Sequence, residues 1–438
     1  MFTSCSSILR KRINLLVFAV IILVCRLSTV SFTHGDDGFY NNLGSHIMRG
    51  ELPFYSYFFA HPPLFLLLAP FTFNLTAIRL ALALTQIVLL IVFDSLLVHY
   101  GHGLFKRTVI DGLLLLSTSF VFFYNNNLSF GLLMIWLLLS YYHYLKGNVK
   151  WSVFFASIAV LTRLFALFYI LPMIYVTFKE HRLVYAYSLI PLIILILVVP
   201  HFLQDVFLYH VDGSTGKTKM YDSDRFFYLY LFTFTHVALI PLALLMVGDK
   251  DLALLAMCMT AGVFVMSNVY LMYFAVLTPL WLLAALNKVT TKQLLLVSVL
   301  FLVASQHLNV KIVDDSMTVS EVNDLTNLIS SYDLPITGCM GMINLVQWVN
   351  PEINIIGSVE EPAGVMDTLW HRTKHQVPSW QANVKQYDHL FLCVPAPESY
   401  ENECELMQGM SYELLGVYPE YKNLHVYYYN KSKGGENK

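Results

Sequence analysis

Two carboxylates, in the run Asp36-Asp37-Gly38-Phe39-Tyr40, stand just beyond the first long apolar segment of a 438-residue chain, and His61-Pro62-Pro63-Leu64 comes soon after. A carboxylate beside a partly dry cavity gains basicity, and a neighbouring acid disfavours double ionisation, so this pair could serve as a general base. Two adjacent carboxylates could equally hold a divalent cation. The plainest alternative is a pair of interfacial loop acids with no chemical role. Asn41, Asn42, His46, Arg49 and Glu51 make the next stretch polar and amphipathic, just ahead of an apolar element broken by proline.

Arg49, Arg163, Lys217, Lys219 and Arg225, with His61, His201 and His210 as partners, form a second set with chemical potential. Guanidinium groups bond phosphate oxygens in planar pairs and offset charge developing on a leaving phosphate. Arg163 lies between two short apolar segments with no loop to carry it into water, and an arginine at bilayer depth costs about 2.5–3.5 kcal/mol without a compensating anion. Its bland alternative is a side chain snorkelling to lipid phosphates. Arg26, in the outer half of the first apolar segment, raises the same question, and an ion pair with Asp36 or Asp37 is its simplest structural answer.

Membrane helices have to hold these groups in place. Apolar residues make up 57% of the chain, charged ones 13% and aromatics 15%, more apolar surface than a water-soluble domain of this size could cover. The net charge of -2 leaves no basic field for nucleic acid, and Lys and Arg instead punctuate the apolar segments. About eleven spans can be drawn against a roughly 30 Å hydrocarbon layer, near 13–32, 77–98, 108–124, 128–145, 151–162, 164–178, 183–199, 226–247, 252–267, 269–286 and 293–306. The first is read as an uncleaved span with a cytoplasmic amino terminus, because no small-residue cleavage pattern comes after it. Breaking the chain at Thr162-Arg163 keeps Lys106-Arg107, Lys146 to Lys150, Lys179 to Arg182, Lys250 and Lys288 to Lys292 on one, cytoplasmic, side. Residues 58–73, interrupted by Pro62, Pro63 and Pro70, read as a re-entrant or interfacial element over a polar cavity.

After Gln306 the composition turns polar. A helix over 319–331 and strands at 336–340, 353–356, 389–394, 412–417 and 425–429 predict a small extracytoplasmic α/β domain. The division expected is thus a membrane domain over 1–306, with a first outer loop near 33–76, and an α/β domain over 307–438. The six cysteines show no paired Cys-x-x-Cys spacing, so a structural zinc is not expected. A disulfide is permitted among Cys339, Cys393 and Cys404, with Cys393–Cys404 the expected pairing and at least one thiol left free. Asn74, Asn127 and Asn430 begin glycosylation-type triplets, three matches that a chain of this length produces by chance.

The first loop resembles the GT-C glycosyltransferases, membrane enzymes that take sugars from polyprenyl-phosphate donors and include protein O-mannosyltransferases and lipid A aminoarabinose transferases. Asp36, Asp37 and Tyr40 fill the acid, acid and aromatic places of that family's first outer loop, and Gly50, Pro53, Tyr55 and Pro62-Pro63-Leu64 match its continuation. Arg26 is similar to an arginine of the family's first helix, and Arg163 to a basic residue that ends its fifth. The second acid is Asp where Glu is commoner, and Asn42 to Ser45 departs from the usual alanine-rich run.

The resemblance implies a polytopic α-helical, GT-C-like enzyme of the plasma membrane, or of the endoplasmic reticulum in a eukaryote. It would displace lipid phosphate from the anomeric carbon with inversion, with Asp36 as base and Asp37 assisting acceptor or ion placement. Arg163, His61, Arg49 and Arg225 would bind the donor phosphate, and Tyr40, Arg26 and Tyr55 would line the pocket. Partners would be a polyprenyl-phosphate-linked sugar, a protein, lipid or glycan hydroxyl and the surrounding lipid; a divalent cation at Asp36 and Asp37 stays open. The competing classes are a polytopic transporter and a flippase or ligase of lipid-linked glycans. Transporters place ionisable groups near the midplane in corresponding halves, whereas polar residues here crowd one face.

Overall fold

The computed structural model describes residues 12–28, 31–32, 75–123, 129–176, 182–199, 249–265, 276–314, 317–338, 340–350, 352–358, 386–393, 412–421 and 423–431, with the single positions 47, 50, 64, 71 and 239. The chain separates into two compact units: one of Met1–Thr29, Leu52–Gly213 and Thr218–Asp314, the other of Val30–Glu51, Ser214–Lys217 and Asp315–Lys438.

The first unit is helical. Its rods are α1 (Ile13–Ser28), α2 (Leu75–His99), α3 (Leu104–Leu115), α4 (Phe130–Leu145), α5 (Val149–Thr162), α6 (Leu167–Val176), α7 (Arg182–Ala186), α8 (Ile190–Val198), α9 (Lys250–Val265), α10 (Thr278–Leu286) and α11 (Thr291–Asp314). Each expected apolar segment meets a helix except 226–247, which lies outside the described residues save Leu239. The first is shorter than expected: α1 ends at Ser28 and the chain turns into a strand at Ser31. The segment near 108–124 is not one rod either, because α3 stops at Leu115 and a π-helical turn forms over Ser119–Phe123. The break at Thr162-Arg163 is present, with Arg163 extended at φ -151 and ψ 129.

Among the described residues, Ala77–His99 is the one helix long and apolar enough to cross a bilayer by itself; the segments Ile13–Leu27, Phe130–Leu145, Val149–Thr162, Leu164–Tyr175 and Leu183–Val198 are apolar but shorter. The outward faces carry the stronger signal. Leu16, Val17, Val20 and Val24 on α1, Ile193, Ile194 and Leu197 on α8, and Leu296, Val299 and Val303 on α11 are all exposed. Stripes of this kind are costly in water and neutral against lipid tails.

The second unit is a sheet with two helices, α12 (Val319–Ser330) and α13 (Met340–Val349). A two-residue strand β1 (Ser31–Phe32) pairs antiparallel with β2 (Met317–Thr318), Ser31 opposite Thr318. The chain leaving α1 and the chain leaving α11 therefore run side by side where the first loop and the C-terminal segment begin. Five further strands, β3 (Ile336–Gly338), β4 (Ile355–Ser358), β5 (His389–Cys393), β6 (Tyr412–Tyr418) and β7 (Leu424–Tyr429), are ordered β4-β3-β5-β7-β6. β3 is parallel to β4 and β5, whereas β7 is antiparallel to β5 and β6. Gly338 is required where β3 meets β5: at φ +134, an added Cβ would lie 1.9 Å from the Leu392 carbonyl oxygen.

Thr318 caps α12 through a reciprocal box, its hydroxyl accepting from the Glu321 backbone while the Glu321 carboxylate accepts from the Thr318 N–H at 2.6 Å. Cys393 is disulfide-bonded, and its expected partner Cys404 lies outside the described residues. His389 is wholly buried between the Tyr387 carbonyl and the Tyr412 hydroxyl, each 2.9 Å from a ring nitrogen. Burial pushes its pKa below the ordinary histidine value. A depressed histidine stabilises the fold above its unfolded pKa, and that contribution is lost as pH falls through about 6.5 toward the lower folded value. Protection factors of the β5 and β7 amides in the intact protein, taken against intrinsic exchange at each pH, should therefore fall below pH about 6.5, and His389→Gln should remove that dependence.

Candidate active site

Of the residues singled out in the sequence, Asp36, Asp37, Tyr40, Arg49, Tyr55, His61 and Arg225 lie outside the described residues. Within the described residues are the start of their loop, held by β1 against β2, and the two arginines that stand at helix ends.

Arg26 occupies the last turn of α1. Its Nε donates to the Gln86 side-chain oxygen at 2.9 Å, and its Nη2 to the carbonyls of Phe120 and Val121 at 3.1 Å each. Gln86, fully buried on α2, completes the contact by donating its Nε2 to the Phe120 carbonyl at 2.7 Å. The last carbonyls of a helix have no partner within it, and the turn at Ser119–Phe123 presents two of them to one guanidinium. The same charge complements the negative dipole ends of that turn and of α1. The described bonds of Arg26 go to neutral acceptors, and Asp36 and Asp37, the partners expected from the sequence, lie outside the described residues. Around this point the chain just after α3 is knit to its neighbours: Ser119 and Thr278 share a hydrogen bond of 2.6 Å, and Gln306 donates to the Leu116 carbonyl at 3.1 Å.

Arg163 comes directly after the last turn of α5, its N–H donating to the Ala159 carbonyl at 2.9 Å. The side chain is buried, with its guanidinium carbon 4.6 Å from the centre of the Phe130 ring. A desolvated cation over an aromatic face gains about 2 kcal/mol, comparable to the cost of bringing an arginine into the membrane. The snorkelling alternative does not fit a buried head group. Ser129 supports the geometry by adopting a left-handed backbone, φ 58, just before α4 starts at Phe130. Among the described residues no three His, Cys, Asp or Glu side chains are grouped to hold a metal ion.

No family model and no curated protein matches the chain. Two solved structures do. The crystal structure of ArnT from Cupriavidus metallidurans in the apo state aligns over 100% of both chains with a TM-score of 0.62 and 12% identity. The same protein bound to undecaprenyl phosphate aligns over 97% of this chain and 99% of that one, with a TM-score of 0.57 and 13% identity. The chain shares the ArnT fold.

Gln86 and the π-helical turn escaped the sequence reading. Gln86 carries a visible signal, a polar amide inside the apolar run of α2, but its partners are backbone atoms with no signature in sequence. Replacing Gln86 with Leu should strip Arg26 of one acceptor and lower stability by about 1–3 kcal/mol, read as the thermal midpoint in detergent. Gln86→Glu, which keeps an acceptor for Nε, should recover part of the loss.

Proposed function

We propose that this chain is an integral-membrane glycosyltransferase that moves a sugar from a polyprenyl-phosphate donor to a hydroxyl acceptor. The observation that carries the reading is the full-length likeness to ArnT, including its form bound to undecaprenyl phosphate, in a chain whose first loop bears Asp36-Asp37 and Tyr40. A long isoprenoid tail stays in lipid while its phosphosugar reaches a polar pocket at the helix ends, an arrangement that a many-helix fold provides and a soluble one does not.

In this mechanism the acceptor hydroxyl attacks the anomeric carbon and passes its proton to the Asp36 carboxylate. The bond from that carbon to the phosphate oxygen breaks, and polyprenyl phosphate departs with the electron pair. A single displacement of this kind inverts the anomeric configuration. Asp37 orients the acceptor or an ion, and Tyr40, Tyr55 and Arg26 line the pocket. Arg163, His61, Arg49 and Arg225 offset the charge gathering on the leaving phosphate. Arg163 suits that role because it is already desolvated, so its bond to a phosphate would not be diluted by water.

We place the reaction on the extracytoplasmic side. The pairing of β1 with β2 joins the start of the first loop to the C-terminal segment, and Cys393 in that segment is disulfide-bonded, a state that persists in oxidising compartments. The division into a membrane domain over 1–306 and an extracytoplasmic domain over 307–438 belongs to the same reading. The sugar and the chemical class of the acceptor are left open by it.

Asp36→Asn should preserve expression and folding while lowering sugar transfer ~10²–10⁴-fold, about 3–5 kcal/mol in activation free energy. Turnover equal to that of the native chain removes Asp36 from the mechanism, and turnover that survives a chelator removes the metal alternative. Arg163→Ala should weaken binding of a polyprenyl-phosphate donor more than binding of the acceptor. Equal losses for the two would count against a phosphate contact.

A further inference from the structure

At the opposite end of α1 from Arg26, two carboxylates and one guanidinium are shut away from water. Asp94 and Asp111 are both 0% exposed and Arg107 is 6% exposed. Arg107 on α3 forks onto Asp94 of α2, Nε to Oδ1 and Nη2 to Oδ2, both at 2.6 Å. Asp111, one turn further along α3, lies within hydrogen-bonding reach of Asp94. Its Oδ2 accepts from the Asn14 side-chain amide of α1 at 2.8 Å. Among the described residues its Oδ1 meets no donor, and neither does the carbonyl oxygen of Asn14, a side chain 5% exposed and joined to the same cluster.

Charge balance decides what this arrangement needs. With both acids ionised, two carboxylates face one guanidinium, and a net negative charge would sit buried among membrane helices, a condition that proteins relieve by neutralising the group. Carboxyl groups in mutual hydrogen-bonding contact also require that one of them donate. The unpartnered Asp111 Oδ1 is where such a donor is missing. No grouping of three His, Cys, Asp or Glu suited to a metal occurs among the described residues.

We propose that Asp94, Asp111 and Asn14 form a buried single-proton site, in which Asp111 carries the proton and donates it to Asp94 while Asn14 ties the site to α1. The cluster is then neutral: Asp94 remains ionised against Arg107, and Asp111 is an uncharged acid. Nothing in this depends on the proposed reaction. Its consequence is mechanical, because the proton lets α1, α2 and α3 close on one another, and α1 leads directly into β1 and the first loop.

Among the described residues the other nearby charges do not supply the missing one. Lys106, also on α3, donates to the carbonyls of Asn287 and Val289 at 3.2 and 3.0 Å. Arg12 before α1 and Lys292 at the start of α11 are exposed. His102, in the connection before α3, is pushed down to about 4 by burial and is therefore neutral above about pH 5.

A proton held in the folded state and released from the unfolded chain makes stability fall as pH rises. The test is thermal unfolding of the full-length protein in detergent, native and Asp111→Asn, from about pH 5 to about pH 8. The variant, an amide that needs no proton, should gain on the native chain by on the order of 5 °C across that interval. A gap that does not change with pH overturns the proposal. So does a midpoint that rises saturably with sodium over choline at equal ionic strength and loses that response in Asp111→Asn, since the positive charge is then a metal ion. Infrared spectroscopy of the native protein provides a readout that needs no variant. The carbonyl stretch of an uncharged carboxylic acid should persist at pH about 8, and its absence there sinks the assignment even where Asp111→Asn does not fold.

Discussion

Lipid tails are as apolar as leucine, so no hydrophobic force draws one membrane helix against another, and the few polar contacts between helices decide where each helix sits. In this chain those contacts form two layers across α1, α2 and α3. One layer joins Asn14, Asp94, Arg107 and Asp111; the other joins Arg26, Gln86 and the carbonyls of Phe120 and Val121. Asn14, Phe18, Ile22 and Arg26 recur every fourth residue, which puts them on one face of α1, and the intervening Leu16, Val17, Val20 and Val24 face outward. The helix is fastened at both ends of a single stripe.

In the proposed reaction these layers matter through the loop that α1 leads into. Ser28 ends α1 and Ser31 begins β1, which is paired residue for residue with β2, so the entry to the first loop is held by two separate stretches of the chain. A general base is useful only within hydrogen-bond reach of the acceptor, and an error of an ångström at its root is carried to its carboxylate. The polar layers and the short β1–β2 ribbon are the supports such a loop needs. Arg163 meets a different kind of partner, an aromatic face on another helix, which attracts a cation in a dry place.

Much of the scaffold was legible in the sequence. The break at Thr162-Arg163 showed because only with it do the basic connections fall on one side. The first helix and the strands of the second unit showed where, after Gln306, the composition turns polar and the periodicity changes, whereas the Thr318–Glu321 capping box came only from the structure. The contacts of Arg26 did not show. The carbonyls it meets belong to a helical turn whose widening has no residue signature, while Asp36 and Asp37 lie outside the described residues. Asp94 and Asp111 went unremarked in the sequence, and the meeting of Asp111 with Asn14 depends on helix packing over a sequence separation of 97 residues.

Local hydrophobicity and periodicity were enough to specify the apolar segments, the alternation of basic connections, the polar C-terminal unit and the acid pair beyond the first helix, since each is a property of neighbouring residues. Packing in three dimensions selected which polar atoms satisfy one another inside the helical unit and which strand receives the chain leaving α1. The physical reason is that a buried charge or carbonyl accepts whichever partner reaches it in space, and backbone oxygens, which are the same in every residue, answer as well as side chains.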